Sequence, residues 1–598
     1  MSADTPHPSD LPSRSKTIHR AQTGRTGVPG QRRVGSPVPS VGKSGGPAAA
    51  RAVRWFHHLT EQTVVSQFDL VAAANARKTA ILWGRETVTY AELRKRIHRY
   101  AANLQTGPEQ TFGAGPAQSG VRPGDRVGIL LENSPEFIYV LYAALKSGAV
   151  VVPINNFLKA PEIQHIVDDC RLSCLVTSSD FDETVTKLQG VKTASIEALG
   201  GRFPSPLNKG EGQGESSKSQ TGRDMDVAPT KHLSHQPGTL NREPHFPTLN
   251  RSDTALIIYT SGTTGKPKGA LLSHGNIASN VHSCIQALEE TDDDRLTLLL
   301  PMFHSFMLTV CIFTPLSMGA GIVLIRSLHP FKAAMQEMIF NRATIFVGIP
   351  QIFQALAQAN IPFWVHWVLK LRMAVSGAAP LARETLEAFE RKMHIPLLEG
   401  YGLSEASPVV SFNPYHSVRK PGSVGLPLPD IEVKIFDDHD RELPPEQVGE
   451  IVVRGPNVMQ GYYNQPEETA TTLRNGWLHT GDVGRKDADG YIYIVDRRKE
   501  MLLVRGMNVY PREIEEVIYQ FPNVREAAVV AKADEKRGEV PIAFVSPTPG
   551  AMLQSDELLR FCRERLADYK LPREFHIVES LPHTATGKIA KLELKKML

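Results

Sequence analysis

The chain reads as an α/β protein: a large N-terminal body of packed α/β sheets followed by a smaller C-terminal α+β domain. Apolar strand-like runs alternate with helical stretches, in the order RVGILL, Pro135 to Lys146, AVVVP, a helix ending near Cys170, and CLVTS. Such alternation builds a parallel sheet covered by helices. The pattern returns in ATIFVGIP and LRMAVSGAAP, each an apolar strand entering a small-residue turn, where open α/β sheets place ligands. After about Ile431 the strands become shorter, as IEVKIF, GEIVVRG and YIYIVD, and the turns charged. That change marks the passage to something smaller and mixed.

Taken in order, residues 1–53 are rich in Ser, Gly, Pro and Arg, with only Asp4 and Asp10 acidic, and read as a disordered arm. They lack the continuous apolar run of a secretory signal and the helical stripe of a transit peptide. Gly42-Lys43-Ser44 imitates the end of a Walker motif, but Pro37 stands where its first Gly belongs and no strand precedes it. The large domain is expected over residues 54–496 and the small one over 497–598. Thr89 and Glu92 form a capping-box signature ahead of Leu93, Ile97, Tyr100, Ala101 and Leu104 on one helical face. Gly/Pro/Gln-rich residues 108–120 and the polar stretch 201–251 read as flexible insertions, because neither buries enough apolar surface to offset its ordering entropy. Leu296 to Ile325 carries no charge, yet Pro301, Pro315, Gly319 and Gly321 interrupt it. A buried strand, loop, helix and strand fits it better than a membrane span.

The 598 residues include 67 Lys and Arg against 63 Asp and Glu, a net charge of +4. An excess that small gives no reason to expect nucleic acid as a partner. Five scattered cysteines make no disulfide framework and fit a reducing, cytoplasmic setting. Cys170 and Cys174 have no second ligand pair to complete a metal site, so they read as packing residues.

The chemistry concentrates in LIIYTSGTTGKPKG, Leu256 to Gly269. A β-branched run feeds a loop with glycines Gly262 and Gly265, hydroxyls Thr260, Ser261, Thr263 and Thr264, and cations Lys266 and Lys268. Glycines let backbone N–H groups approach anionic oxygens, hydroxyls add hydrogen bonds, and ammonium groups neutralise charge. A phosphate cradle follows. It is no Walker loop, since Pro267 and a second strand-like run, GALLS, come next instead of a helix.

YTSGTTGKPKG resembles the phosphate-loop signature of the adenylate-forming superfamily, which includes acyl-CoA synthetases, and further motifs match in order from about residue 55 to 598. The resemblance implies an acyl-CoA synthetase-like fold with a mobile C-terminal domain. It implies activation of a carboxylate with MgATP to an acyl-adenylate plus pyrophosphate, then transfer to a thiol. EGYGLSE supplies Gly400, Tyr401 to stack on adenine, Gly402, Ser404 to reach the α-phosphate, and Glu405 to hold Mg²⁺, a hard cation suited to oxygen ligands. SGAAPL supplies Gly377 and Ala378 on the adenine side, Ala378 replacing a common second Gly. Asp482 and Arg497 are implied for the ribose and Lys499 for the hinge, beside Asp496 where Gly is frequent. Lys588, in PHTATGKIAK, is implied to meet developing charge on the carboxylate and α-phosphate; with Glu405 and Thr264 it forms the catalytic expectation. Arg505, Gly506 and Tyr510 are implied to line a coenzyme A channel once the small domain has rotated.

Phe303 and His304 in LPMFHSF are expected to border the acyl pocket, with Met307, Val310, Phe313 and GIPQIFQAL as apolar lining that suits a fatty acid. The family's amine-holding Asp is missing here, which argues against amino-acid substrates. IPFWVHWVLKLRM, with Trp364 and Trp367 beside Lys370 and Arg372, suggests either a packed helix or a weak peripheral membrane contact. The expected partners are therefore a fatty acid, ATP and CoA. Alternatives are an acyl-adenylate ligase loading an acyl carrier protein, or a non-catalytic nucleotide-binding relative.

Overall fold

Four sheets, counted among the described residues, carry the molecule, and three of them meet around one cavity. The computed structural model describes residues 61–106, 120–200, 246–261, 267–326, 331–362, 365–498, 500–504, 507–534, 537–584 and 588–598. All of these belong to one compact unit, Trp55–Leu598. The N-terminal arm and its Walker-like triplet lie outside the described residues.

A seven-stranded sheet runs in the order Gly461–Tyr462, Pro267–Ser273, Thr254–Ser261, Val150–Pro153, Arg126–Leu130, Cys174–Thr177 and Thr193–Ser195. Its inner strands pair in parallel, Arg126–Leu130 lying between Val150–Pro153 and Cys174–Thr177. The second sheet has nine strands, with Met373–Ser376 parallel to both Ile345–Gly348 and Leu397–Gly402. Between such sheets a helix must be apolar all round, and Pro135–Lys146 is buried at every position. Pro135 opens it at the one place where a missing N–H costs nothing. Its terminal Lys146 is neutralised by Asp69, which Arg94 also contacts, and against its burial the His98 ring, then Lys146 and Arg94, hold the Asp69 carboxyl down at about 2.

The helix Tyr90–Thr106 buries Leu93, Ile97, Tyr100, Ala101 and Leu104, as its periodicity predicts. Its capping box is half made. The Glu92 N–H donates to Thr89 Oγ1 (3.2 Å), while the Glu92 carboxylate turns to Arg96 (2.8 Å). The same helix holds both flanks of the polar insertion: Asn103 donates to the Leu199 carbonyl (2.8 Å), and the His98 ring meets Phe246 edge-on. Phe246 and Leu249 pack on the main core, so the insertion expected to end at Arg251 has rejoined the fold by 246. Residues 201–245 and 107–119 lie outside the described residues.

The uncharged stretch folds as the strand Arg295–Leu298, a loop, a π-helical run Met307–Phe313 continued by Thr314–Leu316, and the strand Gly321–Leu324. Among the described residues no helix is long and apolar enough to cross a membrane. The segment expected as an amphipathic helix near Trp367 is one turn, Val365–Val368, and gives way to the strand Met373–Ser376. Trp367 is 77% exposed, outside the core expected for it. All five cysteines are free and buried, and no group of three or more His, Cys, Asp or Glu among the described residues is placed to hold a metal.

Beyond Ile431 come the three short strands foreseen, Glu432–Phe436, Gly449–Arg454 and Ile492–Arg497, joined by an unforeseen ten-residue strand, Trp477–Lys486, in an antiparallel sheet with Leu473–Arg474. The chain then enters the last sheet, whose long hairpin Val524–Asp534 and Gly538–Pro547 carries the helix Pro511–Tyr519 on one face. This smaller α+β domain follows the large α/β body, and its own apolar cluster centres on Ile514, Ile518, Val529 and Leu558.

Candidate functional site

A cavity of about 1180 Å³ opens where the glycine-rich hairpin, the strand Leu397–Gly402 and the C-terminal residues converge. Thr260, Lys268, Phe303, His304, Gly377, Ala378, Gly400, Tyr401, Gly402, Ser404, Glu405, Arg497 and Lys588 all line it. These positions span more than three hundred residues of sequence and come from strands of three sheets that meet around the cavity, with Lys588 added by the C-terminal segment.

The hairpin Thr254–Ser261 and Pro267–Ser273 pairs Thr260 with Lys268 at its tip. Ser261 closes its first strand, and Gly262, Thr263, Thr264, Gly265 and Lys266 lie outside the described residues. Lys268 is not a free cation. It is buried, ion-paired to Glu468 (2.6 Å) and placed over the Tyr462 ring. Burying an ammonium is tolerable only with such a partner, so Lys268 ties the hairpin to the helix Pro466–Thr472.

Glu405 follows the strand Leu397–Gly402, and its Oε1 accepts hydrogen bonds from the Tyr462 hydroxyl (2.9 Å) and from Thr260 Oγ1 (3.4 Å). Tyr462 is a site residue that sequence reading missed. Its strand, Gly461–Tyr462, pairs with the hairpin at Leu271 and Ala270, a contact between distant segments. The available signal was GYYNQPEET, an aromatic pair followed by two acids just beyond GEIVVRG. Gly402 is needed where it stands, because a Cβ there would lie 2.2 Å from the Pro408 carbonyl oxygen.

On the next side Tyr401 donates its hydroxyl to Asp482 Oδ2 (2.6 Å), and Arg497 Nε contacts Asp482 Oδ1 (2.9 Å). Asp482 sits just behind the cavity wall, its carboxylate already engaged on both oxygens. Glu450 braces this turn by accepting the Gly481 N–H (3.1 Å) and bonding the His479 ring (3.0 Å). The Asp482 charge raises Arg497 above the ordinary arginine value.

The acyl-side expectation divides. Phe303 and His304 line the cavity together with Phe306, whose ring tip abuts Gly377; a Cβ on Gly377 would come within 2.8 Å of it. Ala378 occupies the left-handed region at φ 66°, which explains why Gly suits this turn. Met307, Val310 and Phe313, expected as pocket lining, are instead fully buried in the main core, and Ile352, Phe353 and Leu356 of GIPQIFQAL enter a second core cluster. An all-apolar run has no polar face to reveal which side meets a ligand, so sequence placed the wall one turn too far.

His304 Nδ1 accepts the Phe306 N–H (3.3 Å). Burial, and then the nearby Lys588 charge, push the imidazole down to about 4, so it is neutral at pH 7. Lys588 comes from the far end of the chain. Its turn is closed by its own N–H donating to Thr584 Oγ1 (3.2 Å) and by the Thr584 N–H donating to its carbonyl (2.7 Å). The ammonium retains solvent access while lining the cavity. Crowding, followed by Arg497, lowers its affinity for a proton, while Asp482, Glu500 and Glu405 oppose that.

Tyr510 immediately precedes the helix Pro511–Tyr519 and is not among the cavity-lining residues. Lys499, Arg505 and Gly506 lie outside the described residues. Glu405 presents one hard oxygen ligand to the cavity, which fits a Mg²⁺ ion completing its shell with phosphate oxygens and water. It does not fit zinc, which asks for three or four protein ligands.

Residues 68–463 match the AMP-binding enzyme family, and 513–588 match the AMP-binding enzyme C-terminal domain. A feruloyl-CoA synthase of an Amycolatopsis species is 35% identical over 531 residues, 88% of this chain and 97% of the relative. A long-chain-fatty-acid–CoA ligase of Escherichia coli O6:H1 is 33% identical over 551 residues, 89% of this chain and 94% of the relative. Among solved structures, ATP-bound MatB from Rhodopseudomonas palustris superposes with a TM-score of 0.76 at 28% identity, covering 90% of this chain and 99% of that one.

Proposed function

The chain belongs to the AMP-binding enzyme family, and from that premise we propose that it activates a carboxylic acid with MgATP to an acyl-adenylate and passes the acyl group to coenzyme A. The observation that carries this reading is the arrival of Lys588 in the cavity that Glu405, Thr260 and Arg497 also line. Mg²⁺, held by Glu405 and the nucleotide, supplies charge neutralisation for the departing pyrophosphate. Asp482 and Arg497 take the ribose, Tyr401 the adenine and Ser404 the α-phosphate, with the hairpin around the outer phosphates. Neutral His304 leaves the incoming carboxylate to be met by Lys588 alone. A cation placed where charge builds up accelerates the chemical step more than it tightens nucleotide binding.

The acid is a compact one whose apolar part lies against Phe303 and Phe306; the sealed positions of Met307, Val310 and Phe313 and the feruloyl-CoA synthase relative support this reading. A fatty acid is the second reading, favoured by the similarity to the long-chain ligase. Pyrophosphate release measured for acetate, octanoate, palmitate and hydroxycinnamates, with and without CoA, separates the two. Hydroxycinnamate or short-chain turnover above that of palmitate, with a thioester only when CoA is present, is expected. No pyrophosphate with any acid overturns the enzyme reading, and palmitate as best substrate overturns the compact-acid reading.

A further inference from the structure

The helix Pro511–Tyr519 starts without a cap of its own. Tyr510 at its N-cap makes no side-chain bond to the first turn, whose N–H groups have no partner within the helix. The carboxylate of Asp496 takes that place from the neighbouring sheet: Oδ2 accepts the Arg512 N–H (2.9 Å) and Oδ1 accepts the Arg497 N–H (2.7 Å). Asp496 is 6% exposed and ends the strand Ile492–Arg497 with its neighbour Arg497, which lines the cavity. A carboxylate at a helix N-terminus is favoured by both the free N–H groups and the helix dipole.

The capped helix in turn holds the segment that bears Lys588. Its Glu515 pairs with Lys591 (2.9 Å), three residues past Lys588, and Glu500 pairs with the same ammonium (3.0 Å). Further contacts run between the small domain and the large body: Gln354 donates to the Arg525 carbonyl (2.9 Å), and the Arg512 guanidinium offsets the burial of Glu399 on the strand Leu397–Gly402. Asp496 is thus the first link of a continuous series, through helix and ion pair, from the ribose end of the cavity to the lysine turn.

We infer that Asp496 is a positioning residue, a cross-sheet helix cap that seats the small domain so that Lys588 reaches the cavity. This rests on the function proposed above, because the tie matters only if Lys588 serves adenylate formation. For transfer from a ready-made adenylate to CoA the small domain is expected to rotate and carry Lys588 away from the cavity, so the two half-reactions separate the cap from a general loss of structure.

The test compares Asp496→Ala, which removes both acceptors, with Asp496→Asn, which keeps an amide oxygen for the Arg512 N–H. Pyrophosphate release from acid and ATP is measured beside thioester formation from synthetic acyl-adenylate and CoA, with Lys588→Ala in parallel. Asp496→Ala is expected to slow pyrophosphate release about three- to ten-fold, the loss of one cap. Its thioester step stays within about two-fold of wild type, and Asp496→Asn recovers most of the first rate. Equal loss in both half-reactions, no loss in either, or an Asn variant as slow as Ala overturns the inference. If Lys588→Ala abolishes pyrophosphate release while Asp496→Ala does not slow it, only the cap fails. If Lys588→Ala releases pyrophosphate at the wild-type rate, the functional reading fails and the inference with it.

Discussion

The end of the cavity proposed to take the nucleotide and the end proposed to take the acid are built differently. At the nucleotide end nearly every polar side chain is held by another: Tyr401 by Asp482, Asp482 by Arg497, Glu405 by Tyr462 and Thr260, Lys268 by Glu468. At the acyl end the wall is ring surface from Phe303 and Phe306, with one neutral imidazole between them. Fixed dipoles and charges are what a reaction with a highly charged transition state requires, because they need no reorganisation as charge moves. Apolar surface discriminates among acids only through shape, at about 1–3 kcal/mol per methylene-sized change. The first end therefore dictates a chemistry and the second a preference.

That contrast breaks most sharply at Lys588. Lys588→Ala is expected to lower pyrophosphate release about 10²–10³-fold while leaving ATP affinity within a few-fold, as loss of a group acting on developing charge should. Nucleotide binding followed by calorimetry, beside the turnover rate, checks the split. A weaker perturbation at the same end is Tyr462→Phe, which removes one hydrogen bond to the Glu405 carboxylate and nothing from the cavity floor. Bonds to charged groups are worth about 1.5–3 kcal/mol, so turnover is expected to fall about ten- to a hundred-fold. The Mg²⁺ concentration for half-maximal rate should rise with it. Removal of Phe306 at the acyl end inverts the pattern: Phe306→Ala is expected to change the ratio of kcat/KM between hydroxycinnamate and octanoate about ten-fold. Its KM for ATP should stay nearly constant, and parallel titrations of both acids and of ATP show whether it does.

The smallest effect concerns stability. Burial pushes the Glu399 carboxyl up to about 7 against its ordinary 4.5, with Arg512 pulling the other way. The folded state then holds a proton that the unfolded state has released, so stability falls as pH rises from about 4.5 towards 7 and levels off above it. Glu399→Gln is expected to flatten that fall, which melting temperatures recorded at pH 5, 6 and 7.5 would reveal.

The same contrast explains what the amino-acid string made legible. The glycine hairpin, the turn around Glu405 and the lysine turn are local chemistries, each written in a few adjacent residues, and they meet because separate sheets converge on one cavity. Tyr462 and Glu468 escaped because their partners Glu405 and Lys268 are far away in sequence, and a single tyrosine or glutamate carries no mark of a distant partner. Met307, Val310 and Phe313 were misplaced for a different reason: in a run without polar residues, period alone cannot distinguish core from pocket. The half-made box at Thr89 shows the competition within one turn, where Glu92 prefers Arg96 to the backbone.

The two anchors on the helix Tyr90–Thr106 carry a practical meaning. Leu199 and Phe246 are fastened to positions less than two turns apart, at Asn103 and His98, so the two described flanks of the insertion stand at one doorway. Chain closed at its base in this way adds little entropy cost as it lengthens. The doorway is consequently a natural port for splicing in a reporter or a second catalytic module without redrawing the rest of the molecule.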